Sequence, residues 1–276
     1  MEETHIETQP QNRLEATLVG LLFVFLAVGM VYLGSRGWLP RLASRHGAGI
    51  DNMLIYLLVS TGTLFLAGHF VLGYFIWRFG GQAKPSHRLS SKKVERNWSL
   101  VLGLIMTLVA EGGVLAIGMP VWGEYFAAAP PADALTIEVT SEQFAWNVRY
   151  PGVDGQFGSI SPALIDVSNP IGLDPDDSIG NDDITTVNQI YVPVDEPVRI
   201  RLRSKDVIHS FFLPELRVKQ DAVPGMTIDI WFVPTESGQF ELACTELCGL
   251  GHYRMKGFFN VMTAAEFDTW LAEQSS

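Results

Sequence analysis

Cys244-Thr-Glu-Leu-Cys248-Gly-Leu-Gly-His252-Tyr-Arg-Met255 is the stretch on which the reading of this chain turns. It has the form C-x3-C-x3-H-x2-M and holds both cysteines of the 276 residues. Two cysteines are too few for a disulfide-dense scaffold. Of the six histidines, only His209 and His252 fall in the C-terminal half. The donors are therefore two thiolates, two imidazoles and one thioether. Thiolate and thioether select copper over hard cations. A blue-copper site needs one cysteine, two histidines and a weak axial methionine. Here a second cysteine stands at i+4, so two thiolates can bridge two metals, each taking one histidine. Met255 would then be a weak ligand to one copper, and the backbone carbonyl of Glu246 could serve the other. A Cys244–Cys248 disulfide and a Cys2His2 zinc site are the alternatives. The disulfide leaves two histidines and a methionine without purpose, and zinc leaves the methionine unused. C-x-x-C-H is absent, so no covalent c-type haem is expected on this chain.

Outward from this stretch, short apolar runs separated by turn residues read as strands. They are Leu135–Thr140, Phe144–Tyr150, Gln189–Pro193, Val198–Arg203, Val207–Leu213, Thr227–Val233, Gln239–Ala243 and Gly257–Met262. Many short strands of this kind predict a β-sandwich or barrel. Thr263-Ala-Ala-Glu266 has the capping-box form and opens a closing helix. Residues 152–185 interrupt the pattern with Gly, Pro, Ser and Asp and read as a solvated acidic surface insertion. An EF-hand is not expected there, because Ile179 stands where that loop requires glycine.

Further upstream the character changes. Residues 1–120 carry 10 basic against 7 acidic side chains, and residues 121–276 carry 9 against 23. The net charge of −11 disfavours a nucleic-acid partner. Ala16–Gly34 and Met53–Trp77 are uncharged, and Asn97–Trp122 contains only Glu111. Each is long enough to cross a hydrocarbon core of ~30 Å. Trp38, Trp77, Trp98 and Trp122 mark the run ends, where amphipathic rings favour the headgroup layer. The first run reads as an uncleaved anchor, its leader being acidic rather than basic. Glu111 is read as lying near the outer end of its run. The loop between the second and third runs carries six basic residues and should be cytoplasmic. The expected domains are 1–122, with spans near 14–34, 53–77 and 97–121, and an outer domain 123–276.

With these residues in place, the chain resembles subunit II of haem–copper cytochrome c oxidase, the family that carries a dinuclear CuA centre. The resemblance is carried by Asp206-Val-Ile-His209-Ser-Phe, by Leu216-Arg-Val-Lys219-Gln-Asp221-Ala-Val-Pro-Gly225 and by the C-x3-C-x3-H-x2-M stretch. It implies a membrane-anchored all-β protein. A two-helix hairpin plus one extra N-terminal span would precede a cupredoxin-like Greek-key β-barrel. It implies two coppers held by His209, Cys244, Cys248, His252, Met255 and the Glu246 carbonyl. It also implies a magnesium ion shared with subunit I through Glu246. Glu95-Arg-Asn-Trp98 is similar to the family's E-x-x-W, whose glutamate stands at a proton-channel entrance. The family places a tryptophan where electrons enter. Phe144 takes that position here, with Trp146 nearby.

The function implied is that of a bacterial oxidase subunit in the inner membrane, its C-terminal domain on the periplasmic face. Electrons would arrive from cytochrome c or a similar small redox protein, expected to be a separate chain, with Asp206 as a docking residue. They would pass to haem in subunit I, in a complex with other membrane subunits, for proton-translocating reduction of oxygen. A CuA subunit of a nitric oxide reductase and a membrane-anchored copper chaperone are the alternatives. A quinol oxidase is disfavoured, since quinol-oxidising relatives lose the copper ligands.

Overall fold

A computed structural model describes residues 11–79 and 91–274. Most of the basic loop that set the expected orientation, and part of the leader, lie outside these residues. The chain divides into two units.

One unit comprises residues 1–39 and 52–119, and its described residues are mainly helical. α1 spans Gln11–Gly34 and α2 spans Gly47–Phe79. α3 (Lys92–Thr107) continues through a π-turn, Leu108–Gly112, into α4 (Gly113–Trp122). Among the described residues, three stretches are long and apolar enough to cross a membrane: Leu14–Gly34, Gly47–Phe79 and Lys92–Ala127. Their outward faces are apolar, as expected where the surrounding solvent is lipid. Glu111 sits inside the π-turn. It is 13 residues beyond Trp98 and 11 before Trp122, which corrects the expectation that it lies near the outer end. The Tyr56 hydroxyl donates to the Val109 carbonyl of this turn, where the helical ladder is locally interrupted.

The second unit comprises residues 40–51 and 120–276. Its strands are β1 (Leu135–Glu142), β2 (Ala145–Tyr150), β3 (Ile184–Val187), β4 (Gln189–Pro193) and β5 (Val198–Ser204). They continue as β6 (His209–Leu213), β7 (Val218–Ala222), β8 (Ile228–Phe232), β9 (Gly238–Cys244) and β10 (Lys256–Met262). Two five-stranded sheets form, in the orders β3-β2-β1-β5-β8 and β4-β10-β9-β6-β7. β1 pairs in parallel with β5, and β10 with β4; the other pairings are antiparallel. Alternate residues turn inward, as the two-residue period of a strand demands. Ile137 and Val139, Val198, Ile200 and Leu202, Phe240 and Leu242, and Phe259 and Val261 meet in one core. This is the cupredoxin-like arrangement of the sequence reading. Two edge strands escaped that reading, β3 and β7. Their Thr, Lys, Gln and Asp residues suit an exposed sheet edge and erase the apolar pattern.

α5 (Ala264–Gln274) closes the fold. The expected capping box is present: the Thr263 amide donates to Glu266 Oε2 at 2.9 Å, and the Glu266 amide donates to Thr263 Oγ1 at 3.3 Å. Trp270 stacks on Tyr191 with ring centres 4.6 Å apart.

The insertion is less solvated than its composition suggests. Asp182 accepts from the amides of Val153 and Asp154, Asp183 from that of Gly158, and Asp177 from that of Ser159. The carboxylates thus cap backbone donors that lack a regular ladder. Arg149 of β2 anchors the insertion from below. It pairs with Glu138 at 2.9 Å and Asp183 at 3.3 Å and donates to the Gly158 carbonyl at 2.9 Å. All three charged side chains are buried.

The loop at 40–51 belongs to this outer unit, whereas the sequence reading placed it with the membrane segment. The Ala43 amide donates to the Glu215 carbonyl, the Arg45 amide to that of Val233, and the Thr235 amide to that of Ala43. Ser44 Oγ donates to the Leu216 carbonyl at 2.6 Å. Arg217 pairs with Asp51 at 2.7 Å. The loop is therefore a strap woven into the β domain.

His46 of the strap is buried against Trp231 and Tyr125, with Glu124 at 3.4 Å. Burial holds its imidazole below the ordinary range; Glu124 opposes this and Arg45 adds to it. The unfolded chain then takes up a proton near pH 6.5 that the folded chain refuses. Stability present above that pH is lost as pH falls. Between about pH 7.5 and about pH 5.5, the wild type should lose more stability than His46→Phe. Parallel unfolding profiles for the two proteins would show that His46 carries no such linkage.

Candidate metal centre

His209 opens β6 and Cys244 closes β9, so two neighbouring strands bring these donors to one end of the sheet. The loop after β9 returns Cys248, His252 and Met255 to the same place. The Cys244 amide donates to the Met255 carbonyl at 3.2 Å, which closes the loop on itself. The donors converge. Cys244 Sγ lies 3.9 Å from Cys248 Sγ and 4.0 Å from His209 Nδ1. Cys248 Sγ lies 3.6 Å from His252 Nδ1 and 3.8 Å from Met255 Sδ. Met255 Sδ lies 3.1 Å from His209 Nδ1. The Glu246 carbonyl oxygen is 3.4 Å from Cys244 Sγ. His209, Cys244 and Cys248 alone can offer three atoms within 4.8 Å of one another. His209, Cys244, Cys248 and Met255 are buried, and the Glu246 side chain is exposed.

The two thiols are free and electrostatically unequal. Burial disfavours both thiolates. Around Cys244, hydrogen bonding to His209, to the backbone and to His252 outweighs burial and lowers it to about 6. Cys248, buried and facing that thiolate, is pushed up to about 11. Thiols ligate as thiolates, so cation uptake at this pair would release protons. This soft, crowded, largely dry donor set suits copper.

His209 presents Nδ1 to the sulfurs, while Nε2 lies 2.8 Å from Asp206 Oδ1. Asp206 also accepts from the amides of Gln143 and Val207, each at 2.7 Å. Burial would raise its carboxyl, but His209 and these amides hold it below the usual range. Asp206, expected from sequence as a docking residue, is exposed and also holds the His209 imidazole in orientation. Outer partners of ligating histidines typically contribute 10–100-fold in metal affinity. Asp206→Asn should therefore weaken copper binding by about 10–100-fold, measured by chelator competition. An unchanged affinity would leave the carboxylate a purely structural role.

The turn between β1 and β2 carries Gln143 and Phe144. Gln143 Nε2 donates to the Cys248 carbonyl. The Phe144 ring lies on the ligand loop: a Cβ at Gly251 would come within 2.4 Å of it. Only glycine allows this approach. Trp146 is fully buried, its ring 6.3 Å from that of His209 and 5.7 Å from that of Phe211. Phe144 is therefore the half-buried residue toward solvent, and Trp146 lies beneath the site. Glu95 belongs to the other unit, exposed in the first turn of α3, where the helix dipole favours a carboxylate. Gln143 was missed by sequence reasoning; Gly249 and Gly251 inside the ligand loop were the available sign that a ring lies on it.

Residues 135–261 match the family model described as cytochrome c oxidase subunit II, periplasmic domain. The chain is 36% identical over 265 residues to the alternative cytochrome c oxidase subunit 2 of Bradyrhizobium diazoefficiens, covering 94% of this chain and 92% of the relative. The chain belongs to the cytochrome c oxidase subunit II family. Cytochrome c oxidase subunit 2 of Cereibacter sphaeroides is 29% identical, over 89% of this chain and 82% of its own length. Among solved structures, the periplasmic domain of subunit II of cytochrome oxidase of Bradyrhizobium japonicum is 32% identical, with a TM-score of 0.40. That match covers 53% of this chain and 96% of the other. Family membership makes the chain a component of an oxidoreductase complex, and its three apolar helices suit a membrane-anchored subunit.

Proposed function

We propose that this chain is the electron-accepting subunit of a bacterial terminal oxidase. It takes electrons from reduced cytochrome c or a similar small redox protein and hands them to haem in subunit I, where oxygen is reduced. The observation that carries this is the convergence of both thiols on His209, His252 and Met255 beneath the Phe144 ring. Two coppers bound there would supply a one-electron carrier. His209, Cys244, Cys248, His252, Met255 and the Glu246 carbonyl would hold them. The residues themselves do the rest: they fix donor positions, exclude water and keep rearrangement small. Asp206 holds His209 in one orientation. Phe144 forms the contact between solvent and the ligand loop. Trp146 stiffens the site from within.

The exposed Glu246 carboxylate is free to offer one ligand to a magnesium ion, the others coming from subunit I. Glu95, at the start of its helix, would admit protons from the cytoplasmic side. We assign 40–51 and the β domain together to the periplasmic face, a reading the strap contacts support, with the anchor in the inner membrane. Other membrane subunits would complete the proton-translocating complex.

The acidic outer domain should speed the encounter with a basic donor protein, in a salt-sensitive way. In the assembled oxidase, the bimolecular rate of reduction by cytochrome c should fall as ionic strength rises. It should fall further in Phe144→Ala at unchanged copper content. A rate indifferent to both salt and this substitution would contradict the assignment of the docking face.

A further inference from the structure

α1 and α2 cross where Gly20 meets Gly73: a Cβ on Gly20 would lie 3.8 Å from the Gly73 carbonyl oxygen. Beside this crossing they form a groove of about 320 Å3. That lies within the roughly 300–1,000 Å3 typical of small-molecule sites. Its walls are aromatic and aliphatic, chiefly Phe23, Val24, Phe70, Tyr74 and Trp77, and His69 stands among them. His69 lies eight residues before Trp77, about 12 Å along the helix at 1.5 Å per residue. It is thus an ionisable side chain inside a membrane span, where such groups are rare and mark function by default.

The geometry fixes what His69 offers. Its Nδ1 lies 2.8 Å from the Phe65 carbonyl oxygen. A carbonyl can only accept, so Nδ1 carries the proton. In the neutral ring Nε2 is then an acceptor. Phe23 meets the imidazole edge-on, at 5.3 Å between ring centres, and Phe65 lies against it at 3.8 Å. An acceptor in hydrocarbon is satisfied only by a ligand that brings a donor to that depth. An acyl chain has no donor, and a charged headgroup does not belong that far below Trp77. A partner helix, roughly 10 Å across, does not itself fit the groove; a side-chain hydroxyl reaching in from one is the alternative that comparison with the assembled complex separates. A flat ring carrying a hydroxyl meets every condition.

The geometry points to a binding site for the headgroup of a membrane quinol, with its hydroxyl donating to His69 Nε2 and its ring held between Phe23 and Tyr74. This is a ligand site, separate from electron acceptance at the β domain. The hydrogen-bond direction gives it a signature. The reduced quinol, which carries hydroxyls, binds more tightly than the oxidised quinone, which offers only acceptors.

The test uses the full chain without copper, in phosphatidylcholine nanodiscs under anaerobic conditions, with radiolabelled decylubiquinol and decylubiquinone. Saturable quinol binding, stronger than quinone binding, is expected. His69→Phe should weaken quinol binding about tenfold, the effect of one hydrogen bond lost in an apolar site. It should also erase the preference for the reduced form. Val24→Trp, which fills the groove from α1, should abolish binding. Equal binding of quinol and quinone that ignores His69→Phe would overturn the proposal. So would displacement of quinol by cardiolipin, which would make the groove a lipid site. Binding to the isolated chain but not to the assembled complex would also overturn it, by showing that a neighbouring subunit covers the groove.

Discussion

Cys248→Ser is expected to remove the copper centre from an otherwise folded chain. Cys248 Sγ lies within 4 Å of three other donors: His252 at 3.6 Å, Met255 at 3.8 Å and Cys244 at 3.9 Å. Serine keeps the volume and removes the only second sulfur able to share two metals with Cys244. Its hydroxyl is a harder and weaker donor toward copper. Cys248 is 2% exposed, and serine there makes no demand on the strands. The loss should exceed the 10–100-fold typical of residues one layer beyond the ligands. Copper content should drop from two ions to one at most, and reduction of the complex by cytochrome c should become undetectable, while unfolding of the apo chain changes little. Retention of two coppers in this variant would remove the bridging role from Cys248.

The second large effect concerns stability. Arg149→Met should destabilise the outer unit by about 3–5 kcal/mol, the range for removing one partner of a buried ion pair. The cause is what remains. Glu138 and Asp183 are 5% and 0% exposed at their side chains. Without Arg149, Asp183 keeps only the Gly158 amide. Glu138 keeps Arg203 at 3.3 Å and Arg201 at 3.6 Å, both partly solvated. Burial already raises the Asp183 carboxyl, against the pull of the Gly158 amide and Arg149. Asp183→Asn added to Arg149→Met should therefore recover part of the loss. At ~2–4 °C per kcal/mol for a domain of this size, the single variant should melt about 6–20 °C lower. A shift below about 1 kcal/mol, the scale of a surface pair, would show that the cluster is better hydrated than its burial implies.

The sequence carried the parts of this molecule that depend on spacing. Three apolar runs, the alternation in β1, β5, β9 and β10, the Thr263–Glu266 capping box and the converging donors follow from local patterns that the fold leaves undisturbed. What was hidden depends on contacts far apart in the chain. The strap contacts that join Ala43 to Glu215 and Thr235 leave no trace in a loop whose composition is unremarkable. β3 and β7 are edge strands with polar faces. The acidic insertion looked solvated because Asp182 and Asp183 are indistinguishable in sequence from surface charges, although one caps amides and the other is buried beside Arg149. The orienting role of Asp206 was hidden for the same reason; only the folded position of Gln143 and His209 shows its hydrogen bonds to both. Trp146 stood in the sequence only as a neighbour of the electron-entry position; the register of β2 turns it inward beside His209.

The central claim is that one site holds two coppers acting as a single electron carrier. Low-temperature electron paramagnetic resonance on the full chain, purified in detergent and loaded with copper, tests it most directly. The account predicts a hyperfine pattern from one unpaired electron shared equally by two copper nuclei, present in the wild type and absent in Cys248→Ser. A single-copper spectrum, or a silent one from correctly folded protein with free thiols and bound copper, would contradict it.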